Sequence, residues 1–244
     1  KLDSIIYMNS IDELNYIKKN NNNIEIGAAT PLINFESFIQ KYYPDFTKIL
    51  QRYGSVQIRN VCTIAGNIAT ASPIGDTLPL LLTLNAQVLI QSINTKKILS
   101  LEKFFISYRN TKLRKGQFIH SIRIPIQKNH IFKAYKVSKR FDDDISSVCA
   151  SFNLEIKNKL IKNIKIAYGG MAAVPKRAFR CEKILLNSPV TDKIVFKAKS
   201  ALEKDFKPIT DMRASGNYRM EIAKNLLEKC FLEITKKKLM GIYN

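Results

Sequence analysis

The sequence predicts an α+β protein with two units, which we place at residues 1–140 and 145–244. Three observations lead to this prediction. Helical and alternating apolar patterns follow one another in the first unit without a regular strand–helix–strand repeat. A long alternating hairpin and then a series of helical patterns make up the second unit. An acidic cluster at 142–144 separates the two units in an otherwise basic chain.

The first unit alternates between short strands and helices whose ends are marked by turn residues. Pro44 can begin a helix because its fixed φ suits the first helical turn, and Gly54 can end that helix. Ser10 is a candidate cap for an earlier helix with acidic residues in its first turn. The predicted helices cover 11–19, 33–43, 45–53 and 77–82, and the predicted strands cover 4–8, 24–26, 86–92, 97–101, 118–125 and 131–139.

The second unit begins with the cleanest pattern in the chain. Apolar and polar residues alternate from Val148 to Ile156, Asn158 occupies a turn, and a returning strand runs over 160–168. This alternation predicts an antiparallel hairpin with one covered face. Helical spacing then predicts helices over 179–186, 191–206 and about 217–238, which should cover that face of the hairpin.

The formal net charge of +20 raises the question of nucleic-acid binding. The lysines are spread over the whole length, whereas nucleic-acid binders more often concentrate Lys and Arg on one element between aromatic residues. The densest run, at 236–238, lies near the end of a predicted helix, where cations complement the helix dipole. We therefore predict no nucleic-acid partner, and a basic protein for nucleic acid or a membrane surface is the least favoured alternative. No apolar run approaches the ~20 residues of a membrane span, so we expect no membrane partner.

The cysteine and histidine positions argue against a metal centre in this chain. The four cysteines, at 62, 149, 181 and 230, form no close pair such as C-x-x-C. Free thiols are typical of a reducing compartment, so we expect a cytoplasmic protein. His120 and His130 have no ligand or triad partner at a recognisable spacing, which leaves metal and nucleophilic catalysis without support.

The stretch from Arg59 to Leu80 is the most unusual part of the sequence. It is almost free of charge between Arg59 and Asp76 and is rich in Gly, Ala, Ser and Thr. Its pattern suits neither an amphipathic helix nor an alternating strand, and Asp76 can cap the helix predicted after it. Two interpretations stay open. The stretch is either a buried loop between structural elements or a backbone-lined site for a phosphate-bearing cofactor, because small side chains let a ligand approach the main chain.

Five segments resemble the FAD-binding subunit, or FAD domain, of the molybdenum hydroxylases, such as xanthine dehydrogenase and carbon monoxide dehydrogenase. They are IGAATPL (26–32), QIRNVCTIAGNIATASPIGD (57–76), SKRFDDDIS (138–146), IAYGGMA (166–172) and KPITDMRAS (207–215). The resemblance covers essentially the whole chain, and the 57–76 segment is its most specific part. The SKRFDDDIS segment is most similar to bacterial xanthine dehydrogenase FAD subunits.

The resemblance implies a two-part FAD-binding domain of the vanillyl-alcohol-oxidase (PCMH) type, followed by a small C-terminal domain with an antiparallel sheet covered by helices. In the family, a glycine-rich loop that cradles the diphosphate precedes the position where this sequence begins, and no such loop occurs here. We therefore expect the first subdomain to be largely absent, either because the sequence is a piece or because another polypeptide supplies that half. The family usually has Gly-Gly-Asn where this chain has Ala-Gly-Asn at 65–67, which is tolerated only if residue 65 needs no positive φ.

The resemblance also implies which residues bind the cofactor. Asp76 is expected to hydrogen-bond the ribityl or diphosphate end of FAD, and Lys136 to touch the cofactor. Tyr53 and Ile119 are expected near the adenine. The remaining residues expected along the cofactor are Thr63, Gly66, Asn67, Thr70 and Ser72. From the residues alone, Tyr53 and Ile119 are equally ordinary core residues, and Lys136 is a solvated strand residue.

The implied function is electron transfer. Substrate is hydroxylated at a molybdenum centre on another subunit, and electrons pass through 2Fe-2S clusters on a partner to FAD on this chain, and then to NAD or another acceptor. The chain then needs a molybdenum-binding subunit and an iron–sulfur subunit, and with four scattered cysteines it holds no cluster itself. We expect no catalytic acid or base in it. The loop at 140–144 is a candidate for influencing acceptor access, with a solvated linker as the alternative. The competing function is a structural subunit that keeps the fold without FAD.

Overall fold

The computed structural model describes residues 5–235, and in this range the chain forms two antiparallel sheets with helices packed against them. The start of the strand predicted at 4–8 lies outside the described residues. So do the end of the helix predicted to reach residue 238 and the lysine run at 236–238.

The first sheet of the described range has five strands, and all neighbouring strands are antiparallel. Alternation along two of them turns Ile24 and Ile26 toward Ile124 and Ile122, and all four side chains are fully buried. The strands are β1 (Ile17–Lys19), β2 (Asn23–Gly27), β3 (Gln87–Gln91), β4 (Lys96–Ser100) and β7 (Phe118–Pro125), in the order β1-β2-β7-β3-β4. Two short strands, β5 (Phe105–Ser107) and β6 (Asn110–Thr111), form a separate ribbon.

Six α-helices accompany this sheet within the described residues, and their ends follow local chemistry. Pro44 stands at the first helical position of the second helix, where its missing N–H costs nothing. Ser55 and Thr63 cap the third and fourth helices by accepting hydrogen bonds from backbone N–H groups. The helices are α1 (Leu32–Ile39), α2 (Pro44–Gln51), α3 (Val56–Val61), α4 (Ile64–Thr70), α5 (Thr77–Thr83) and α6 (Leu101–Phe104).

The second sheet carries the predicted hairpin, and the C-terminal helices cover one of its faces as expected. The prediction that only one face is covered is wrong, because α5 packs on the other face, where Cys149, Ser151 and Asn153 are buried. Phe152 and Ile166 are paired across the hairpin and fully buried against the C-terminal helices. Its strands are β8 (Ile131–Val137), β9 (Val148–Lys157), β10 (Leu160–Gly169) and β11 (Lys176–Arg177), in the order β11-β10-β9-β8. Its helices are α7 (Phe179–Leu185), α8 (Asp192–Asp205) and α9 (Gly216–Ile234).

Strand β8 lies before the predicted division at 140–145 but pairs with β9 in the second sheet. The division into residues 1–140 and 145–244 stays a prediction, because β8 pairs with a strand on the other side of it. Other contacts across this division are extensive. Helix α5 is buried along its whole length because it packs against β9 and β10 of the second sheet as well as against the first core. The Thr83 and Ser151 hydroxyls share a hydrogen bond of 2.7 Å, and Asn153 donates to the Thr83 carbonyl.

Three of the predicted local structures are wrong. The described part of the strand predicted at 4–8 forms no strand, because a 3-10 turn already begins at Met8. Residues 11–19 do not form a helix: 3-10 turns at Met8–Ser10 and Asp12–Leu14 lead into β1, which pairs with β2 across a polar turn. The expectation that the small-residue stretch avoids helix fails as well, because α4 turns Ile64, Ala65 and Ile68 into the core at helical spacing. Its other face is small and exposed, which is why the pattern does not resemble an ordinary amphipathic helix.

Candidate cofactor site

The turn between α4 and α5, residues 71–76, shapes one wall of a cleft. Ala71 adopts the left-handed conformation and ends α4, and the Ser72 carbonyl accepts a hydrogen bond from the Gly75 N–H. A Cβ added at Gly75 would lie 3.0 Å from a Leu78 methyl group and 3.2 Å from the Asn67 Oδ1, so a larger residue there would require these side chains to shift by a few tenths of an ångström.

The cleft has a volume of about 290 Å³ and opens between this turn and the loop that follows β8. It brings together five of the residues predicted to bind the cofactor: Tyr53, Asn67, Ser72, Asp76 and Lys136. The opposite wall comes from the loop, through Asp143, Asp144 and Ile145. Residues far apart in sequence thus meet at one concave surface, at the lower end of the size range of small-molecule sites.

A buried ion pair forms the base of the cleft. The Lys136 ammonium lies 2.8 Å from Asp76 Oδ2, and the two side chains are 1% and 6% exposed. Lys136 also donates to the Arg52 carbonyl, and the Ser146 hydroxyl donates to Asp76 Oδ1 at 2.5 Å. Asp76 therefore does not cap α5 with its side chain, although it stands at the cap position, because Lys136 and Ser146 turn its carboxylate toward the second sheet.

A neutral aromatic residue and an oriented amide line the side of the cleft. Asn67 Nδ2 donates to the Tyr53 oxygen at 3.2 Å, and the Thr77 hydroxyl donates to Asn67 Oδ1. Burial, with smaller effects from Cys62 and Asp76, raises the pKa of Tyr53 to about 12, so its phenol stays protonated at neutral pH. The hydrogen bonds with Thr77 and Tyr53 together fix the Asn67 amide in one orientation.

The other predicted residues lie outside this cleft. Thr63 accepts a hydrogen bond from the Gly66 N–H, and Thr70 donates to the Gly66 carbonyl, so both support α4. Gly66 is exposed, and a Cβ there would meet only the Thr63 hydroxyl, at 3.2 Å. Ile119 is buried in the first core, paired with Ile90. The departure from the family at Ala65 causes no backbone strain, because the φ of this residue is not positive, and its methyl group is buried.

Arg52 holds the loop that forms the second wall. Its guanidinium donates to the carbonyls of Phe141 and Lys136 at 2.8 and 2.9 Å and to the Ser138 hydroxyl, and it lies 4.5 Å from the centre of the Phe141 ring. Within the loop, backbone N–H groups of Arg140 and Ile145 donate to Asp144. These hydrogen bonds lower the pKa of the Asp144 carboxyl, and the bond from Arg140 has the largest effect.

Sequence reasoning missed Ser146, Thr77 and Arg52. Ser146 lies 70 residues from Asp76, and Arg52 acts on a loop more than 80 residues away. Ser146 ends the SKRFDDDIS segment and Thr77 follows the 57–76 segment, so proximity to these motifs is the one signal that could have pointed to these two residues.

The residues present fit part of a flavin dinucleotide. The cleft offers hydroxyl, amide, carboxylate and ammonium groups beside an aromatic ring, and the outer face of α4 is open at Gly66, Ala69 and Thr70. The cleft can hold one portion of such a molecule, and the small exposed face can accept a further portion against the main chain. In residues 5–235, no group of three or more His, Cys, Asp or Glu side chains can hold a metal ion, and no helix is long and apolar enough to cross a membrane.

Comparison with known protein families supports a flavin site in this chain. Residues 1–127 match the family described as the FAD binding domain in molybdopterin dehydrogenase. The chain belongs to this family. Residues 133–234 match the CO dehydrogenase flavoprotein C-terminal domain. The predicted resemblance, the α+β fold class and FAD as the cofactor are thereby confirmed, and the chain is an FAD-binding subunit of the molybdenum hydroxylase family.

Individual relatives agree in sequence and in fold. The glyceraldehyde dehydrogenase medium chain of Sulfolobus acidocaldarius is 30% identical over 234 residues, which cover 95% of this chain and 83% of that protein. The xanthine dehydrogenase of Emericella nidulans is 33% identical over 216 residues, which cover 82% of this chain but only 16% of that protein. A structure of carbon monoxide dehydrogenase from Hydrogenophaga pseudoflava superposes with a TM-score of 0.86 over 91% of this chain and 78% of that one; its identity of 23% supports the fold alone.

Proposed function

We propose that this chain passes electrons within a molybdenum-containing hydroxylase, from iron–sulfur clusters through FAD to NAD or another acceptor. The molybdenum cofactor and the 2Fe-2S clusters would belong to a molybdenum-binding subunit and an iron–sulfur subunit, in a cytoplasmic assembly. The observation that carries the proposal is the cleft between the 71–76 turn and the 138–145 loop, with the buried Asp76–Lys136 pair at its base.

FAD supplies the redox chemistry when it is bound, and the residues of this chain bind and orient it. Two of the three N–H groups of Lys136 point to Asp76 and to the Arg52 carbonyl, which leaves one for a phosphate or carbonyl oxygen. The Asp76 carboxylate keeps acceptor positions for ribityl hydroxyls, since Ser146 and Lys136 each use one. Because the charges of the ammonium and the carboxylate compensate each other, the cleft can offer a hydrogen-bond donor and an acceptor to the cofactor without an unpaired buried charge.

Ser72, Gly66 and the exposed face of α4 support the placement of the remaining cofactor along the helix. Thr63 and Thr70 act through Gly66, whose N–H and carbonyl they hold, and Ile119 acts through the core beneath. We keep all nine residues as proposed cofactor contacts or supports. The matching family is described as a flavoprotein and the similar proteins are dehydrogenases, which favours this function over a scaffold without FAD.

Flavin content tests the proposal. The full-length polypeptide is purified with its companion subunits, the ratio of released FAD to protein is measured, and the FAD dissociation constant is obtained from flavin fluorescence. Asp76→Asn should lower the FAD content and weaken binding at least tenfold. The matched control is Glu182→Gln, which breaks another largely buried ion pair, with Arg177 beside the second sheet. It should lower stability but leave FAD content unchanged. A wild-type protein that contains no flavin and binds none would favour the scaffold instead.

A further inference from the structure

Residues 103–115 form a basic ribbon whose positive charges have no carboxylate partner among residues 5–235. No acidic residue occurs between Glu102 and Asp142. Elsewhere in this interval several cations pair with carboxylates, as Arg123 does with Glu25. In the ribbon, among the residues that the structure describes, no carboxylate lies within ion-pair distance of any of the exposed cations, which are Lys103, Arg109, Lys112, Arg114 and Lys115.

The ribbon also exposes large apolar side chains at its tip. Ile106 and Tyr108 are 56% and 59% exposed, and the Arg109 guanidinium lies over the Tyr108 ring at 5.7 Å. At the base, by contrast, Phe104 is fully buried, and its carbonyl accepts a hydrogen bond from the Lys112 N–H. The pairing of β5 with β6 is separate from both sheets, and a two-stranded ribbon is marginally stable by itself. The ribbon is therefore anchored at one end and bare on its outer surface.

We propose that the basic ribbon docks on an acidic protein surface of a companion subunit, with Tyr108 and Arg109 at the centre of the contact. The proposal rests on the proposed function, because that function requires companion subunits. Tyrosine and arginine are the residue types that carry most of the binding energy in protein interfaces. Lys112, Arg114 and Lys115 would surround them as a charged rim, which accelerates association with an acidic partner and makes it salt-dependent.

Charge and side-chain type favour this occupant over two others. A second copy of the chain would present the same basic ribbon, and like charges facing each other oppose association. Single-stranded nucleic acid is held by stacking of successive bases on several aromatic side chains, whereas Tyr108 is the one exposed aromatic residue within 103–115. An acidic protein surface with an apolar centre satisfies the cations, the aromatic ring and the isoleucine together.

The experiment compares two variants with the same change in net charge. Arg109→Glu with Lys112→Glu reverses charge on the ribbon. Lys157→Glu with Lys162→Glu reverses charge on the hairpin of β9 and β10, where both lysines are exposed and without an ion-pair partner among the described residues. Association of each full-length variant with the purified companion subunits is measured by stopped flow at several salt concentrations. In parallel, a photoreactive phenylalanine derivative replaces Tyr108, and its crosslinked peptides in the assembled complex are identified.

The ribbon variant should associate about tenfold more slowly than wild type at low salt, with the difference shrinking as salt screens it, and the control variant should change less than twofold. The crosslink from position 108 should reach an Asp- and Glu-rich peptide of a companion subunit. Equal rates for the two variants, a crosslink confined to this chain or to a second copy, or a loss of nucleic-acid retention without slower assembly would each overturn the proposal. FAD content is measured for every variant, so failed docking with normal flavin content is distinguished from failure of the proposed function.

Discussion

The buried pair of Asp76 and Lys136 allows a quantitative test of the site that needs no cofactor. Both side chains are almost inaccessible to solvent, and their charged atoms are 2.8 Å apart. Removing one partner of such a pair leaves an uncompensated buried charge, which typically costs about 3–5 kcal/mol. We expect losses of this size in the free energy of unfolding for Lys136→Met and for Asp76→Asn. The lower end applies to Lys136→Met, because Ser146 still donates to the carboxylate.

The two changes should be far from additive when they are combined. In the double variant no buried charge remains, so the loss should be smaller than the sum of the single losses by about 2 kcal/mol or more. Urea unfolding of the cofactor-free protein, followed by circular dichroism, measures all four free energies. Lys48→Met serves as the control because Lys48 pairs with Asp45 but its side chain is 71% exposed. It should change stability by no more than about 0.5 kcal/mol.

Small single losses would refute the reasoning. If Lys136→Met and Asp76→Asn each cost less than about 1 kcal/mol and show no more coupling than an exposed pair, the two charges are solvated, and the cleft lacks the dry base described above.

Three further predictions concern Gly66, Arg52 and Glu25. Gly66→Ala should leave stability unchanged or raise it by up to about 1 kcal/mol, because alanine favours helix. It should weaken FAD binding in a fluorescence titration if the cofactor lies against that main chain, and unchanged affinity would remove Gly66 from the site. Arg52→Ala should increase amide hydrogen exchange over 138–145 about tenfold by removing three hydrogen bonds and the contact with Phe141; unchanged exchange would mean that the loop holds itself. For Glu25, burial raises the pKa, but hydrogen bonds led by that from Arg123 outweigh it and lower the net value. The carboxylate therefore stabilises the fold above the unfolded pKa of about 4.3 and loses this effect as pH falls. Glu25→Gln should flatten the acid side of a stability–pH profile, and an unaltered slope below that pH would contradict the assignment.

Sequence patterns predicted the second sheet better than the first, and the reason lies in how local the determining contacts are. The β9–β10 hairpin is closed by a short turn at Asn158, and its alternation is visible in adjacent residues. The segment that leads into β1 carries apolar residues at 11, 14 and 17, a spacing that is typical of a helix. Residues 17–19 form a strand because Ile17 pairs with Ile26 of β2, and this pairing is a tertiary contact that the local pattern does not contain.

The candidate site shows the same division between local and distant determinants. The motif of small residues pointed to Asn67, Ser72 and Asp76, and these do line the cleft. It gave no reason to expect that the Asp76 carboxylate would face away from its own helix, since the side chains that turn it lie on β8 and just before β9. Residues with no motif signal, such as Arg52, shape the cleft through a loop that is distant in sequence.

The Asp76 carboxylate connects the cleft to the loop through both ends of that loop. Lys136, which binds one oxygen, lies near the end of β8, and Ser146, which binds the other, lies just before β9 begins. Arg52 holds the same loop from the side of α2 through Ser138 and Phe141. A ligand that donates hydrogen bonds to Asp76 or accepts one from Lys136 therefore changes the energy of the loop's anchors, and by reciprocity a change in the loop alters the affinity for that ligand by the same factor. The Asp76 side chain thus links the chemistry of the cleft to the position of its outer wall.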